Sequence, residues 1–220
     1  MTFWRWESDQ IYRSKTPDQS ITINAAEPTN EILDLTLTKN YLKIDVSTDD
    51  DLINLIIKSV RKQIENELGG VLIVKRSVIQ KQTGGIEQIE LLRQPVNSIT
   101  SVTYYESFDS TGEILSASDY RIIGNKLIHR DGYWKQGRNG DGYVIVFNAG
   151  IVDDTEGTAE AATPSIRQAA LRLVAYLYEN REEFATTIGE GGFSISYNTI
   201  VGNAELKSLL APYMVSRAVF

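Results

Sequence analysis

Cysteine is absent from this 220-residue chain, and histidine occurs only once, at His129. Without cysteine there can be no disulfides, thiolate metal sites or cysteine nucleophiles, and one histidine leaves a single imidazole for acid–base chemistry. His129 closes the alternating segment KLIHR, which favours a place at a strand end over a catalytic role. Because no nucleophile elbow, phosphate-binding loop or metal-ligand spacing occurs either, we expect no catalytic residue, no metal and no cofactor.

Long apolar runs are also missing, and none approaches the roughly 18 residues that a membrane-spanning helix needs. The first residues place Arg5 and Asp9 where a signal peptide would need an unbroken apolar core. Basic residues are outnumbered, with 22 Lys and Arg against 29 Asp and Glu, for a net charge of −7. We therefore expect synthesis in the cytoplasm, no membrane contact, and no clustered cations of the kind that bind nucleic-acid phosphates.

Helical periodicity is strongest from Thr163 to Phe184, where apolar residues recur every three or four positions after a capping threonine and a proline. A second long pattern runs from Asp49 to Leu68, with Arg61 on the predicted solvent face. Two shorter patterns are a helix capped by Thr36 and a terminal helix stopped by Pro212. The four predicted helices cover about 36–44, 49–68, 164–184 and 204–211.

Between the two long helices the period becomes twofold, which predicts an antiparallel module of five or six strands over 71–150. A further short strand is predicted at 21–24. The predicted fold class is therefore α+β, a helical body with an inserted β-rich module. The expected organisation is an N-terminal arm at 1–30, a helical body at 31–70 and 151–184, the inserted module at 71–150, and a C-terminal arm with a short helix at 185–220.

Two groups of side chains allow a second interpretation. Asp49, Asp50 and Asp51 could hold a cation, but acids at the start of a helix more simply favour the positive end of its dipole. The aromatic residues of the β-rich region could form a stacking platform, as in a carbohydrate-binding module, although such residues are also common in any sheet. They are Tyr104, Tyr105, Tyr133, Trp134 and Tyr143.

The order of several segments resembles the head-to-tail connector (adaptor) proteins of long-tailed bacteriophages. The segments are AAEP, LTKNYLKID, DDDLINLIIKSVRKQIE, PVNSITSVTY, SDYR, VIVFNAG, PSIRQAALRLVAYLYENRE and LLAPY. The resemblance runs from about Ile21 to Tyr213, which is nearly the whole chain. YENRE at Tyr178 to Glu182 and LLAPY at Leu209 to Tyr213 are the most specific of them.

The resemblance implies a structural virion protein at the head–tail junction and no catalysis. Such a protein forms a ring, typically twelvefold, that docks on the portal, offers a stopper or tail-completion protein its attachment site, and continues the DNA channel. DNA would pass through the lumen without specific binding, which agrees with the acidic composition. Another type of neck or tail-completion protein is the alternative, and a carbohydrate-binding module is a more distant one.

Two sets of contact residues follow as hypotheses from the long helix and from the apolar residues of the arms. The predicted subunit interface consists of Trp4, Trp6, Ile166, Leu173, Leu177, Tyr178 and Arg181. The predicted portal-binding arm consists of Phe193, Tyr197, Leu209, Leu210, Tyr213, Met214, Val219 and Phe220.

Overall fold

The computed structural model describes residues 21–154, 164–180 and 203–214. The helices in these ranges are α1 Leu35–Leu42, α2 Asp50–Glu67, α3 Pro164–Glu179 and α4 Ala204–Leu210, with a 3-10 turn over Ala211–Tyr213. The strands are β1 Thr22–Ala25, β2 Arg76–Gln82, β3 Gln88–Glu90, β4 Val96–Tyr104, β5 Glu113–Ile114, β6 Tyr120–Ile123, β7 Lys126–His129 and β8 Tyr143–Ala149. Over these same ranges, no helix is long and apolar enough to cross a membrane.

The helix ends differ in detail from those predicted. Asp34 caps α1, because its carboxylate accepts the Leu37 N–H at 2.6 Å, so the assignment of Thr36 as the cap was wrong. Thr36 is the second residue of the helix. The free N–H of the first turn already has its acceptor in the Asp34 carboxylate. The α3 helix ends at Glu179, and the predicted continuation over 181–184 lies outside the described residues.

The helical body forms around the buried stripes of α2 and α3. Both stripes recur at the helical period, and the small side chains of Ala169 and Ala170 let the two helices approach closely. Leu206 and Leu210 of α4 add to the same core. The fully buried apolar residues of the two long helices are Ile53, Ile57, Val60, Ile64, Ile166, Ala169, Ala170, Leu173 and Val174.

The β-rich module consists of a five-stranded sheet in the order β1-β2-β8-β4-β5 and a three-stranded sheet in the order β3-β7-β6. All named strand pairs are antiparallel. In the central pair Val78 lies opposite Phe147 and Gln80 opposite Ile145, so one face of each strand enters the core between the sheets. The strand predicted at 21–24 is β1, which precedes α1 in the chain but pairs with β2 of this module.

The chain between α2 and β2 contributes to both cores. Val71, Ile73 and Val74 pack in the core of the helical body, whereas Leu72 points into the core of the β-rich module. This segment bridges Gln94 through Val71 and Val152 through Val74. The α+β prediction with an inserted antiparallel module is therefore confirmed, but the module has more strands than the predicted five or six.

Candidate assembly surfaces

Arg61 lies where the helical body meets the β-rich module, with 1% of its side chain exposed. Its guanidinium donates to Glu31 at 2.8 Å, to Glu65 at 3.2 Å and to Glu27 at 2.5 Å. The prediction that Arg61 faces solvent was wrong. Its position one helical turn after Ile57 lies at the edge of the buried stripe, and three acids make burial of the charge tolerable there.

Glu65 extends these contacts to the sheet. Its carboxylate accepts from both terminal nitrogens of Arg76 on β2, at 2.6 and 2.9 Å, and from the Ile73 N–H at 3.0 Å. We call Glu27, Glu31, Arg61, Glu65 and Arg76 the junction network. Because its members come from the segment before α1, from α2 and from β2, it ties three parts of the chain together.

The charges of the junction network stabilise one another. Burial by itself would lower the pKa of Arg61, but Glu31, Glu65 and Glu27 outweigh it and raise that pKa. The pKa of Glu27 is lowered by its hydrogen bond to Lys62 and by Arg61, against a smaller opposing effect of burial. The one signal of this network in the sequence is the i, i+4 spacing of Arg61 and Glu65.

Asp154 fastens the segment between β1 and α1 to the end of the β-rich module. Its carboxylate accepts the backbone N–H groups of Thr29 at 2.6 Å and Asn30 at 2.7 Å, and the Asn30 amide at 3.1 Å. Burial would raise the pKa of Asp154, but these hydrogen bonds lower it below the ordinary value of 3.8. The folded state therefore favours the charged form.

Replacing Asp154 by Asn should lower the free energy of unfolding by about 1–2 kcal/mol at neutral pH. This is the usual contribution of hydrogen bonds to a charged group, reduced because Asp154 is partly exposed to solvent. Because folding lowers the pKa of Asp154, the extra stability of the native chain over Asp154→Asn is fully present above pH 3.8. It is lost as the pH falls through the folded-state pKa. Urea unfolding near pH 7 and near pH 3 measures both effects. Asp153→Asn, at an exposed ion pair with Lys75, is the control with a smaller expected change. A difference between the native chain and Asp154→Asn that is as large near pH 3 as near pH 7 would contradict the assignment.

Tyr178 and Asp49 connect the end of α3 with the start of α2. The Tyr178 hydroxyl donates a short hydrogen bond to the Asp49 carboxylate. Asp49 occupies the cap position of α2 without a side-chain cap bond, while Asp50 pairs with Lys39 at 2.6 Å. Two of the three consecutive aspartates thus fasten neighbouring helices to α2.

The predicted subunit-interface residues of α3 lie at different depths. Ile166 and Leu173 are fully buried in the core of the helical body, so their side chains have no surface free for a second chain. Leu177 and Tyr178 are partly buried at the edge of that core. Trp4, Trp6 and Arg181 lie outside the described residues. A role of this set in a subunit interface stays a prediction.

The portal-binding set is described in part. Leu210 is fully buried, Leu209 and Tyr213 pack partly against the helical core, and Met214 has 40% of its surface exposed. Phe193, Tyr197, Val219 and Phe220 lie outside the described residues. This set also stays a prediction.

The aromatic residues of the β-rich module are divided between core and surface. Trp134 is fully buried, and its ring meets Tyr143 edge-on at 5.2 Å and His129 at 5.1 Å. Tyr143 is also buried, and burial raises its pKa far above the ordinary value. His129 is the last residue of β7, as expected for a strand end, and its Nδ1 accepts the Asp131 N–H at 3.2 Å. Two rings of the supposed stacking platform therefore belong to the core.

The fold and the junction network define the class of this protein. It is an α+β protein in which buried charges connect a helical body to an inserted β-rich module. The sequence profile of the family described as "Head completion protein" matches residues 31–203. The chain therefore belongs to the head completion protein family. This match confirms the resemblance to phage head-to-tail connector proteins. A comparison with curated proteins finds no match.

Solved structures share the fold over nearly their whole length. A chain in "Virion of native gene transfer agent (GTA) particle" is 15% identical with a TM-score of 0.68, and one in "Neck of empty GTA particle computed with C6 symmetry" is 14% identical with 0.66. A third, in "Neck of native GTA particle computed with C12 symmetry", is 15% identical with 0.60. Each match covers 90% of this chain and 97% of the other. At these identities the similarity establishes a common fold.

Proposed function

We propose that this protein is a head-to-tail adaptor of a phage-like particle, which forms a ring, docks on the portal and joins capsid to tail. The observation that carries this proposal is the family match over 31–203. It is supported by structural matches that each cover 97% of a chain from a particle neck. The sixfold and twelvefold symmetries named for those necks support a closed ring, and we propose twelve subunits. The location is then the head–tail junction of the virion.

The junction network suits a protein that acts by its shape. A ring subunit must hold the angle between its parts while neighbours and the packaged genome press on it. Buried charges with several partners resist such rearrangement, because separating them leaves an unpaired charge in the protein interior. The family is structural, and we propose that the protein has no enzymatic activity and needs no cofactor.

The net charge of −7 supports a channel that does not bind DNA. Protein–DNA affinity comes largely from cations that replace the counterions of the phosphates, and a surface dominated by carboxylates lacks this contribution. We propose that acids outnumber Lys and Arg on the wall of the lumen. A map of the assembled ring with a basic lumen would contradict this part of the proposal.

Binding to the portal is the direct test. The full-length chain is mixed with purified portal, or with tail-tube protein, and the products are examined by sedimentation and negative-stain microscopy. We expect a ring on the portal, and we expect deletion of residues 214–220 to abolish docking while the circular dichroism of the subunit stays unchanged. Unchanged docking would reject the portal-binding arm, and binding to the tail tube alone would favour the other type of neck protein.

A further inference from the structure

A cavity of about 200 Å³ opens beside the junction network. Its lining includes the last turns of α2, the residues that follow β1, and Arg93, which lies between β3 and β4. We call it the junction cavity. One ordered water molecule needs only about 10–15 Å³ of cavity volume. The junction cavity therefore has room for a small ligand of several atoms.

Positive charge dominates the lining of the junction cavity. Four cations line it against two carboxylates, and one cation is still in excess when Glu31, the partner of Arg61 at 2.8 Å, is counted as a third acid. The whole chain has the opposite balance, with a net charge of −7. The lining cations are Arg61, Lys62, Arg76 and Arg93, and the lining carboxylates are those of Glu27 and Glu65.

Both lining carboxylates already use each of their oxygens. One oxygen of Glu27 accepts from Arg61 at 2.5 Å, and the other contacts the Lys62 ammonium at 2.8 Å. One oxygen of Glu65 accepts from Arg76 at 2.9 Å and from a backbone N–H at 3.0 Å. The other accepts from Arg61 at 3.2 Å and from Arg76 at 2.6 Å. Neither acid is therefore available to a further cation.

Arg93 is the cation that remains without an acid. Within the described ranges no carboxylate pairs with its guanidinium, and its Nη1 donates only to the Leu92 carbonyl at 3.4 Å, a long distance for a hydrogen bond. The residue is partly buried. Its Nη1 lies 3.0 Å from the place of a Cβ on Gly70, where φ is +100°, so glycine leaves the space that the guanidinium needs.

Arg76 adds a second positive group whose hydrogen bonding is incomplete. Its side chain is 6% exposed, and both terminal nitrogens donate to Glu65. Its Nε is buried and has no hydrogen-bond partner among the described residues. Because this atom has no contact with solvent, a ligand in the cavity would act on it through charge and not by a hydrogen bond. Charges interact more strongly in such a partly buried place than in water.

We infer that the junction cavity binds one small oxyanion, a carboxylate or a phosphate group, with Arg93 as its main contact. A guanidinium suits both groups, because its N–H donors match two oxygens of the anion at once. Glu27, 62% exposed at the same cavity, would repel the further charges of a polyanion such as DNA. The inference goes beyond the proposed function, since it requires neither the ring nor the portal.

Urea unfolding of the full-length chain in different salts tests the site. Sodium phosphate, or sodium acetate, replaces sodium chloride at constant ionic strength. An anion that binds only the folded state raises the unfolding midpoint with the logarithm of its concentration above its Kd. We expect this response to both anions in the native chain. In Arg93→Gln the apparent Kd should be about tenfold higher or more, because a hydrogen bond between two charged groups is lost.

Arg121→Gln is the matched control, because Arg121 is an exposed arginine of β6 that does not line the junction cavity. Phosphate also stabilises proteins in general by its exclusion from their surface, and this effect should be the same in both variants. Each variant is compared with itself in chloride, so a lower stability of Arg93→Gln does not affect the result. Equal responses of Arg93→Gln and Arg121→Gln to phosphate would overturn the inference.

Two further measurements identify the source of the anion. A single-stranded oligonucleotide that binds the native chain more tightly than phosphate at equal salt would overturn a site for one small anion and indicate a surface for a polyanion. Portal docking distinguishes the other sources. Unchanged docking of Arg93→Gln would assign the anion to the solution, and loss of docking with native circular dichroism would assign a carboxylate of a neighbouring chain. A native chain that responds to phosphate but never docks would keep this site and reject the adaptor proposal.

Discussion

Replacing Arg61 by Met should lower the free energy of unfolding by about 3–5 kcal/mol, because it leaves acids at the junction without their cation. Glu65 is 7% exposed and would keep Arg76 as its only cation, while Glu31, at 16% exposed, would lose the partner 2.8 Å away. The methionine fills much of the same space, so the loss comes from the uncompensated charges. Urea unfolding followed by circular dichroism measures the change.

Lys62→Met is the matched control for Arg61→Met. Lys62 is the next residue of the same helix, 58% exposed, and it shares Glu27 with Arg61 through a contact of 2.8 Å. An exposed ion pair is worth about 0–1 kcal/mol, so the control should be nearly as stable as the native chain. Arg61→Lys should fall between the two, because an ammonium keeps the charge but cannot reach three glutamates in the fork geometry of a guanidinium. If the free energies of unfolding of Arg61→Met and Lys62→Met differ by less than about 1 kcal/mol, the junction network is not what holds the helical body and the β-rich module together.

Hydrophobic periodicity was sufficient to predict the two long helices and the inserted module. In α2 and α3 the apolar residues recur over several turns, so the core-facing side is determined many times over. The helix ends depend on single residues instead. Near α1 both Asp34 and Thr36 are possible caps, and the choice of Asp34 depends on the direction from which the chain enters, which periodicity does not report.

The buried position of Arg61 could not be predicted in the same way. Its burial depends on Glu27 and Glu31, which lie 34 and 30 residues earlier in a segment without regular period, and on Arg76 in the following strand. The same limit applies to the predicted subunit interface, because Ile166 and Leu173 were chosen from the apolar stripe that the monomer itself buries.

Replacing Trp134 by Ala should destabilise the protein by about 3–5 kcal/mol, the usual cost of removing a fully buried aromatic side chain. Trp134 lies in the loop between β7 and β8, where no periodicity marks it as a core residue. Its side chain nevertheless donates to the Leu127 carbonyl at 3.1 Å, and its backbone exchanges hydrogen bonds with the segment of Ile86. The deletion would leave a cavity between the two sheets and a carbonyl without its donor.

Tyr133→Ala provides the comparison, because Tyr133 is the preceding residue of the same loop and is 49% exposed. We expect it to change stability by no more than about 0.5 kcal/mol, as most exposed substitutions do. Unfolding in urea and the near-ultraviolet circular dichroism of the native state distinguish the two variants. A carbohydrate-binding role for Trp134 requires the opposite result, a stable Trp134→Ala chain that loses affinity for a glycan. Loss of stability instead would place Trp134 among the residues that hold the two sheets together and keep the β-rich module rigid.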